Sequence, residues 1–373
     1  MNAEIQSFLL SLPQSKLIPL SKENLKSIEN MKTCRTHGRG GMILVCPECD
    51  IKAVFYNPCN QRGCALCYQK NQIQWKQRLQ GRILPTSHYH LVFSFPEVFT
   101  DIWLHEKRKM IKSLFACVAV AIKELGDKHG ILLGYALVFH SHGKGLAYKP
   151  HIHCLLSSGG ATEDHRWITL GSIPYNMLID AVKKTIDKQL RKNELPIELL
   201  PDYGRIRDDE WKLHPVLHQD SGNQIVEYLS HSMHGVVVDL DHDVKIDQQK
   251  QTVEVITRHN GKEEKTTLSL SLFAERYLQH IPPSGAVMVR YYGLYSNSHK
   301  EELEYIRQKS FKERIEKHGE EDGEENEDFV EKCPKCHAPM KIFLVLEPQT
   351  MLDLTFLGFM NDPPKHREVL RSA

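Results

Sequence analysis

Ten cysteines are spread so unevenly along the 373 residues that they constrain the fold before any helix or strand is considered. Six of them, Cys34, Cys46, Cys49, Cys59, Cys64 and Cys67, crowd into one short stretch, with His37 three positions after Cys34. Cys46 and Cys49 form one Cys-x2-Cys turn, Cys64 and Cys67 another, and Cys333-Pro334-Lys335-Cys336 repeats the spacing near the other end. A reducing interior disfavours disulfides, whereas a Cys-x2-Cys turn presents two thiolates to one tetrahedral Zn2+. The stretch therefore reads as a zinc-binding module. Two pairings are open. Cys34, His37, Cys46 and Cys49 hold one ion while Cys59, Cys64, Cys67 and a further group hold a second, or the two Cys-x2-Cys pairs share a single ion. Closed sites of this kind hold a fold together and do not catalyse. Binding is worth on the order of 10 kcal/mol in small finger peptides, so the segment should melt without metal. Cys333 and Cys336 make half a site whose partners are not visible in the sequence. Cys117 and Cys154 stand in apolar surroundings and read as core residues.

Composition bounds the rest. Hydrophobic residues make up 41% and charged residues 25%, which is globular and excludes wholesale disorder. No apolar run approaches a membrane span, and residues 1–32 lack the pattern of a signal peptide, so a cytoplasmic location is expected. The net charge of +1 hides an asymmetry. Residues 31–84 carry nine Lys or Arg against two acids, a surplus suited to phosphate contacts from Arg35, Arg39, Arg62, Lys70, Lys76 and Arg78. Residues 69–83 read as a helix leaving the zinc module. Residues 316–331 carry nine acids and one Lys, as a solvated linker does. These shifts divide the chain into a helical segment at 1–30, a zinc-binding DNA-contact module at 31–84, a core at 85–275, a downstream segment at 276–315, an acidic linker at 316–331 and a Cys-x2-Cys segment at 332–373.

Within the core, strands are expected at 89–95, 134–140, 151–156, 236–240, 253–258 and 266–272. Helices are expected at 101–125, at 172–190 with Ser172 as cap, and at 223–234. Strands, helices and hairpins mixed in this way give an α+β fold with an antiparallel sheet.

The strand His151-Ile152-His153-Cys154 places two imidazoles on one face, since strand side chains alternate. The preceding strand ends in His140-Ser141-His142, and an antiparallel neighbour would bring one of these across to complete a triad. His90, on an earlier strand, is a further candidate. Three imidazoles around a divalent cation leave positions open for substrate, and such a metal polarises a phosphoryl oxygen. Mg2+ or Mn2+ is the expected ion, with imidazole favouring Mn2+. In the helix expected at 223–234, Tyr228, His231 and Ser232 share a face. A tyrosine presented beside a metal can attack a phosphodiester and hold the cleaved strand covalently.

These motifs, in this order, resemble the bacterial insertion-sequence 91 family of transposases, within the His-hydrophobic-His class of single-strand DNA nucleases. The resemblance rests on Cys34-Arg35-Thr36, Cys46-x2-Cys49 and Asn57-Pro58-Cys59-Asn60-Gln61-Arg62-Gly63-Cys64-x2-Cys67 for a zinc-binding head. It continues through His90-Leu91-Val92-Phe93-Ser94-Phe95-Pro96, His140-Ser141-His142-Gly143-Lys144 with Lys149-Pro150-His151-Ile152-His153, Tyr228-Leu229, and the downstream segment 273–293. It implies a zinc-headed DNA-binding module, a metal-dependent nickase core and rolling-circle-like movement of a DNA element, with single-stranded or melted DNA at the element ends as partner. It implies Tyr228 as nucleophile and His140, His151 and His153 as ligands of the catalytic metal. Two positions depart from the family pattern. Ser232 stands where a second tyrosine is usual, implying a single-tyrosine variant, and Gly63 replaces a head histidine. A competing expectation is a zinc-dependent DNA-binding regulator with an inactive core, and a third is a metallohydrolase using activated water.

Overall fold

The computed structural model describes residues 22–61, 64, 66–143, 146–195, 210–218, 223, 225–226, 244–247, 249–259, 262–283, 285–318 and 332–348. Its N-terminal module opens with helix α1 (Lys22–Lys32), followed by the hairpin β1 (Gly41–Val45) and β2 (Lys52–Tyr56) and by helix α2 (Tyr68–Gln80). In α2, Trp75 and Leu79 lie one turn apart and are buried, while Gln77 and Arg78 are exposed. The helix thus keeps one apolar stripe inward and a polar, basic side in solvent.

Period-two alternation then builds the central sheet. β3 (His88–Ser94) buries Tyr89, Leu91 and Phe93 on one side. Helix α3 (Thr100–His129) follows, and Gly130 ends it in the left-handed conformation at φ 64°. β4 (Leu132–His142) and β5 (Tyr148–Ala161) form a long hairpin, and the short β6 (Trp167–Thr169) pairs with β5. Helix α4 (Tyr175–Lys192) and β7 (Lys212–His218) come next. The spatial order is β11-β4-β5-β3-β7, where β11 is Val289–Gly293, and every pairing is antiparallel. β11 therefore carries the core sheet past residue 275, where the sequence suggested that the core ends.

The two faces of this sheet differ in chemistry. One face carries Leu91, Phe93, Leu137, Phe139, Ile152 and Cys154. These bury in a single core with Phe115, Val118 and Ile122 of α3 and with Leu178, Val182 and Ile186 of α4. Cys117 and Cys154 are fully buried there. The opposite face carries Ala136, Val138 and Leu155 in a second apolar cluster. That cluster takes in Trp75 and Leu79 of α2, Ile225 and Val226, and Leu303, Ile306 and Phe311 of helix α6 (Lys300–His318).

A second sheet, ordered β10-β9-β8, is an antiparallel meander of β8 (Val244–Asp247), β9 (Thr252–His259) and β10 (Lys262–Ser269). Helix α5 (Leu270–His280) follows directly. The third sheet joins the two ends of the chain: β12 (Lys341–Leu346) pairs antiparallel with β1 in the order β12-β1-β2.

Two boundaries differ from the sequence expectation for local reasons. The helix expected from Ser172 begins at Tyr175 with Pro174 at its cap, and no side chain caps it. Proline disfavours helical backbone in the residue before it, so the turn cannot start earlier. The strand expected through 272 stops at Ser269, whose hydroxyl accepts from Leu272 N–H at 3.2 Å and starts α5. The strand expected at 236–240 and most of the helix expected at 223–234 lie outside the described residues; Asn223, Ile225 and Val226 are helical. Among the described residues no helix is long and apolar enough to cross a membrane.

Candidate metal centres

The thiols sort themselves into two groups of four: the expected Cys59, Cys64 and Cys67 set gains Cys34 as its fourth member, while Cys46 and Cys49 join neither Cys34 nor His37. Cys34, Cys59, Cys64 and Cys67 form one group, and Cys46, Cys49, Cys333 and Cys336 the other, each with its sulfurs within 4.8 Å of one another. His37 belongs to neither; it is exposed in a short 3-10 turn. Sulfur–sulfur separations are 3.5 Å for Cys34–Cys67 and 3.8 Å for Cys59–Cys67. A tetrahedron with Zn–S bonds of 2.3 Å has edges of about 3.8 Å, whereas a disulfide is closed to about 2.0 Å. The spacing therefore fits a shared ion and not a pair of disulfides.

The electrostatics of the first group point the same way. Contacts with the neighbouring thiols hold Cys67 far below the usual thiol range, and contacts with Cys59 and Cys64 hold Cys34 below it too. Cys59 and Cys64 are pushed far up, foremost by their bond to Cys34 and further by burial. Four buried sulfurs this close cannot all ionise without a cation, and a divalent ion lets them do so. The group packs with Ile28 and Met31 of α1 and with Phe273, Tyr277 and Leu278 of α5, so the ion would sit between the head and the meander.

The histidine centre is built by strand register. In the β4–β5 pair His140 lies opposite His151 and Val138 opposite His153, and in the β3–β5 pair His90 lies opposite Leu155. Alternation puts all four imidazoles on one face. His140, His151 and His153 bring ring nitrogens within 4.8 Å of one another. Of His140, His142 and His90, the three candidates to complete the triad, the one grouped with His151 and His153 is His140. A bulge separates it from His142, whose side chain is not among those described.

Two of the three rings are steered by a neighbour. His151 Nδ1 donates to the Lys149 carbonyl at 2.8 Å, which leaves Nε2 as the available ligand atom. Burial pushes its pKa down to about 4, partly offset by that carbonyl, so the ring is neutral at physiological pH. His153 Nδ1 lies 2.7 Å from His90 Nε2, with the rings stacked at 5.0 Å. A metal-bound imidazole usually passes its other N–H to such an acceptor. The orienting role of His90 was not visible in the sequence, which showed only one more histidine on a strand. Three imidazoles converging on one point fit a transition-type divalent cation such as Mn2+ better than Mg2+.

The other expected site residues are placed more loosely. Arg35 and Arg78 are exposed, Lys76 is half-buried, and Arg39 donates to Asn30 Oδ1 at 3.2 Å. Arg62, the Lys70 side chain and Tyr228 lie outside the described residues.

Residues 7–95 match the family described as "Transposase zinc-binding domain", and residues 134–302 match the one described as "Putative transposase". A Sinorhizobium fredii protein named "Putative transposase y4qJ" is 25% identical over 310 residues, 76% of this chain and 77% of the relative. The "Transposase for insertion sequence element IS801" of Pseudomonas savastanoi pv. phaseolicola is 23% identical over 305 residues, 73% of this chain and 70% of the relative. The first match contains the Cys34–Cys59–Cys64–Cys67 group and the second contains the histidine triad. A zinc-binding head joined to a transposase core, in that order, makes this chain a member of the insertion-sequence 91 type of transposases.

Proposed function

We propose that this transposase nicks and rejoins one strand of DNA at the ends of a mobile element, with Tyr228 as the nucleophile and a divalent metal held by His140, His151 and His153. One observation carries the reading. Ile225 and Val226, just ahead of Tyr228, are buried in the same cluster as Val138 and Leu155, which are cross-strand partners of His153 and His90. The residues just ahead of Tyr228 thus pack on the histidine face of the sheet, which supports a nucleophile delivered from that side.

In the proposed step the Tyr228 oxygen attacks the scissile phosphorus, a Tyr–O–P bond forms and the P–O3′ bond breaks. The tyrosine proton leaves to solvent or a nearby base, and the departing 3′ oxygen takes up a proton. The products are a 5′-phosphotyrosine and a free 3′-OH, which can prime synthesis or reverse the attack at a new junction. The metal, when bound, offsets charge developing on the phosphate oxygens. His90 and the Lys149 carbonyl hold two of the ligand rings in orientation. In this reading the exposed basic side of α2, with Arg35 and Arg78, grips the DNA backbone and gives position, not sequence. Single-stranded or melted DNA is the substrate, and the protein works in the bacterial cytoplasm at the nucleoid.

The test is incubation of the full chain with a single-stranded oligonucleotide from an element end and Mn2+, read on a denaturing gel. A covalent protein–DNA band should form. Tyr228→Phe should lose both band and nick while binding Mn2+ and zinc as before. Nicking that persists in Tyr228→Phe would refute the assignment, and DNA binding without any nick would favour a regulator.

A further inference from the structure

Residues 332–348 lie beyond both family matches, yet they complete the N-terminal module. Cys46-Pro47-Glu48-Cys49 and Cys333-Pro334-Lys335-Cys336 share one sequence pattern and one backbone design. In the first turn Cys46 N–H donates to the Ile51 carbonyl at 2.8 Å and Asp50 N–H to the Cys46 carbonyl at 3.0 Å. In the second, Cys333 N–H donates to the Ala338 carbonyl at 2.8 Å and His337 N–H to the Cys333 carbonyl at 2.9 Å. The residue after the second cysteine is left-handed in both, Asp50 at φ 53° and His337 at φ 60°. Two copies of one knuckle thus face each other from opposite ends of the chain.

We propose that Cys46, Cys49, Cys333 and Cys336 bind a second zinc ion, forming a ribbon assembled from both ends of the chain, and that this ion clasps residues 332–348 onto the head. The four sulfurs fit it. Cys46–Cys336 and Cys49–Cys333 are each 3.4 Å apart and Cys49–Cys336 is 3.8 Å, close to the edge of a ZnS4 tetrahedron and far from a disulfide. The partners are 290 residues apart in the case of Cys46 and Cys336.

Packing alone gives little reason for these ends to meet. Among the described residues, the apolar cluster around this site has four buried members, Leu44, Cys46, Cys333 and Met340, with Met42, Ile51 and Phe55 only partly buried against them. In β12, Ile342, Phe343, Leu344 and Val345 are all exposed and only Leu346 is buried. A segment that buries so little apolar surface needs another source of stability, and a tetrathiolate ion supplies it. The apolar cluster around it is separate from the one that holds the first thiol group, so the two ions are independent. The clasp acts on the head and does not depend on the nicking mechanism.

Metal analysis of the purified full chain tests the site. The expected content is two zinc ions per chain, falling to one in Cys333→Ser/Cys336→Ser and to one in Cys46→Ser/Cys49→Ser, with the melting of the core unchanged. One zinc in the wild type, or two in the Cys333→Ser/Cys336→Ser chain, would overturn it. A specific protease sequence placed between residues 319 and 331 tests the clasp. After cleavage the C-terminal piece should stay with the body on gel filtration and leave it when a strong chelator strips the zinc. A piece that stays after zinc is shown to be gone would overturn the clasp.

Discussion

Replacing His90 by leucine isolates one link in the histidine centre. The ring is buried, at 7% exposure, and leucine fills a similar volume, so packing should survive. The substitution removes the 2.7 Å bond to His153 Nδ1, which fixes the tautomer and the rotation of that ring. A net hydrogen bond is worth about 1 kcal/mol, and outer-shell partners of metal-ligating histidines are worth roughly 10- to 100-fold in affinity, or about 1.4–2.8 kcal/mol. The two estimates meet near tenfold. The Kd for Mn2+, measured by titration calorimetry on zinc-loaded protein with His151→Ala as the non-binding control, should rise about tenfold. Nicking at saturating Mn2+ should stay within a few-fold of wild type, and the melting temperature should hold. His90→Gln, which can still accept or donate, should recover part of the affinity. Unchanged Mn2+ binding in His90→Leu would refute the orienting role, and complete loss would make His90 a ligand in its own right.

Two further outcomes test the fold beneath the site. His88 and His280 are buried, with Nδ1 of His88 on the Thr86 carbonyl and Nε2 of His280 on the Leu146 carbonyl. Burial lowers each pKa to about 4 against the carbonyls' opposing pull, below an unfolded value of about 6.5. The unfolded chain therefore binds protons that the folded chain refuses, and stability falls as pH drops from about 6.5 to 4, by on the order of 3 kcal/mol for each ring. Urea midpoints across that range should fall, and His88→Gln should flatten the slope by about one proton; a pH-independent midpoint would refute this. Gly293, at φ 54°, would place a Cβ 1.7 Å from the Leu133 carbonyl oxygen, so Gly293→Ala must force β11 off β4. It should cost about 2–4 kcal/mol and on the order of 5–10 °C in Tm by circular dichroism, and an unaltered Tm would show that the edge strand is dispensable.

Sequence spacing carried the centres part of the way, and the point where it stopped has a physical cause. His151 and His153 share a face because strand side chains alternate, and that is a local rule. Which residue of His140-Ser141-His142 joins them depends on cross-strand register and on a bulge at the end of β4, and neither is local. Spacing also grouped Cys59, Cys64 and Cys67 correctly, while misplacing Cys34 and leaving Cys46 and Cys49 with the wrong partners. Cys34 pairs with the Cys59–Cys64–Cys67 loop because α1 packs against it, and Cys46 and Cys49 wait for a turn from the far end of the chain. One signal could have found that partner. Cys46–Cys49 and Cys333–Cys336 are both Cys-Pro-x-Cys, whereas Cys64-Ala65-Leu66-Cys67 is not. The strands β1, β2 and β12 were missed because each is short and partly exposed, so it lacks the clean alternation that marked β3 and β5.

The division of labour between the two faces of the central sheet also explains why the head and the core occur as one chain. The face toward α3 and α4 is apolar throughout, and its task is stability. The other face mixes the four histidines with Ala136, Val138 and Leu155, and the groups that cover it come from distant parts of the sequence. Trp75 and Leu79 arrive on the helix that leaves the first thiol group, and Ile225 and Val226 arrive from the segment that leads to Tyr228. A close-packed cluster transmits displacement because it has no slack to absorb it. The helix whose outer side presents Arg78 and the segment proposed to carry the nucleophile therefore rest on one buried cluster, beside the metal ligands. If α2 grips DNA as proposed, packed side chains connect that grip to the histidine face.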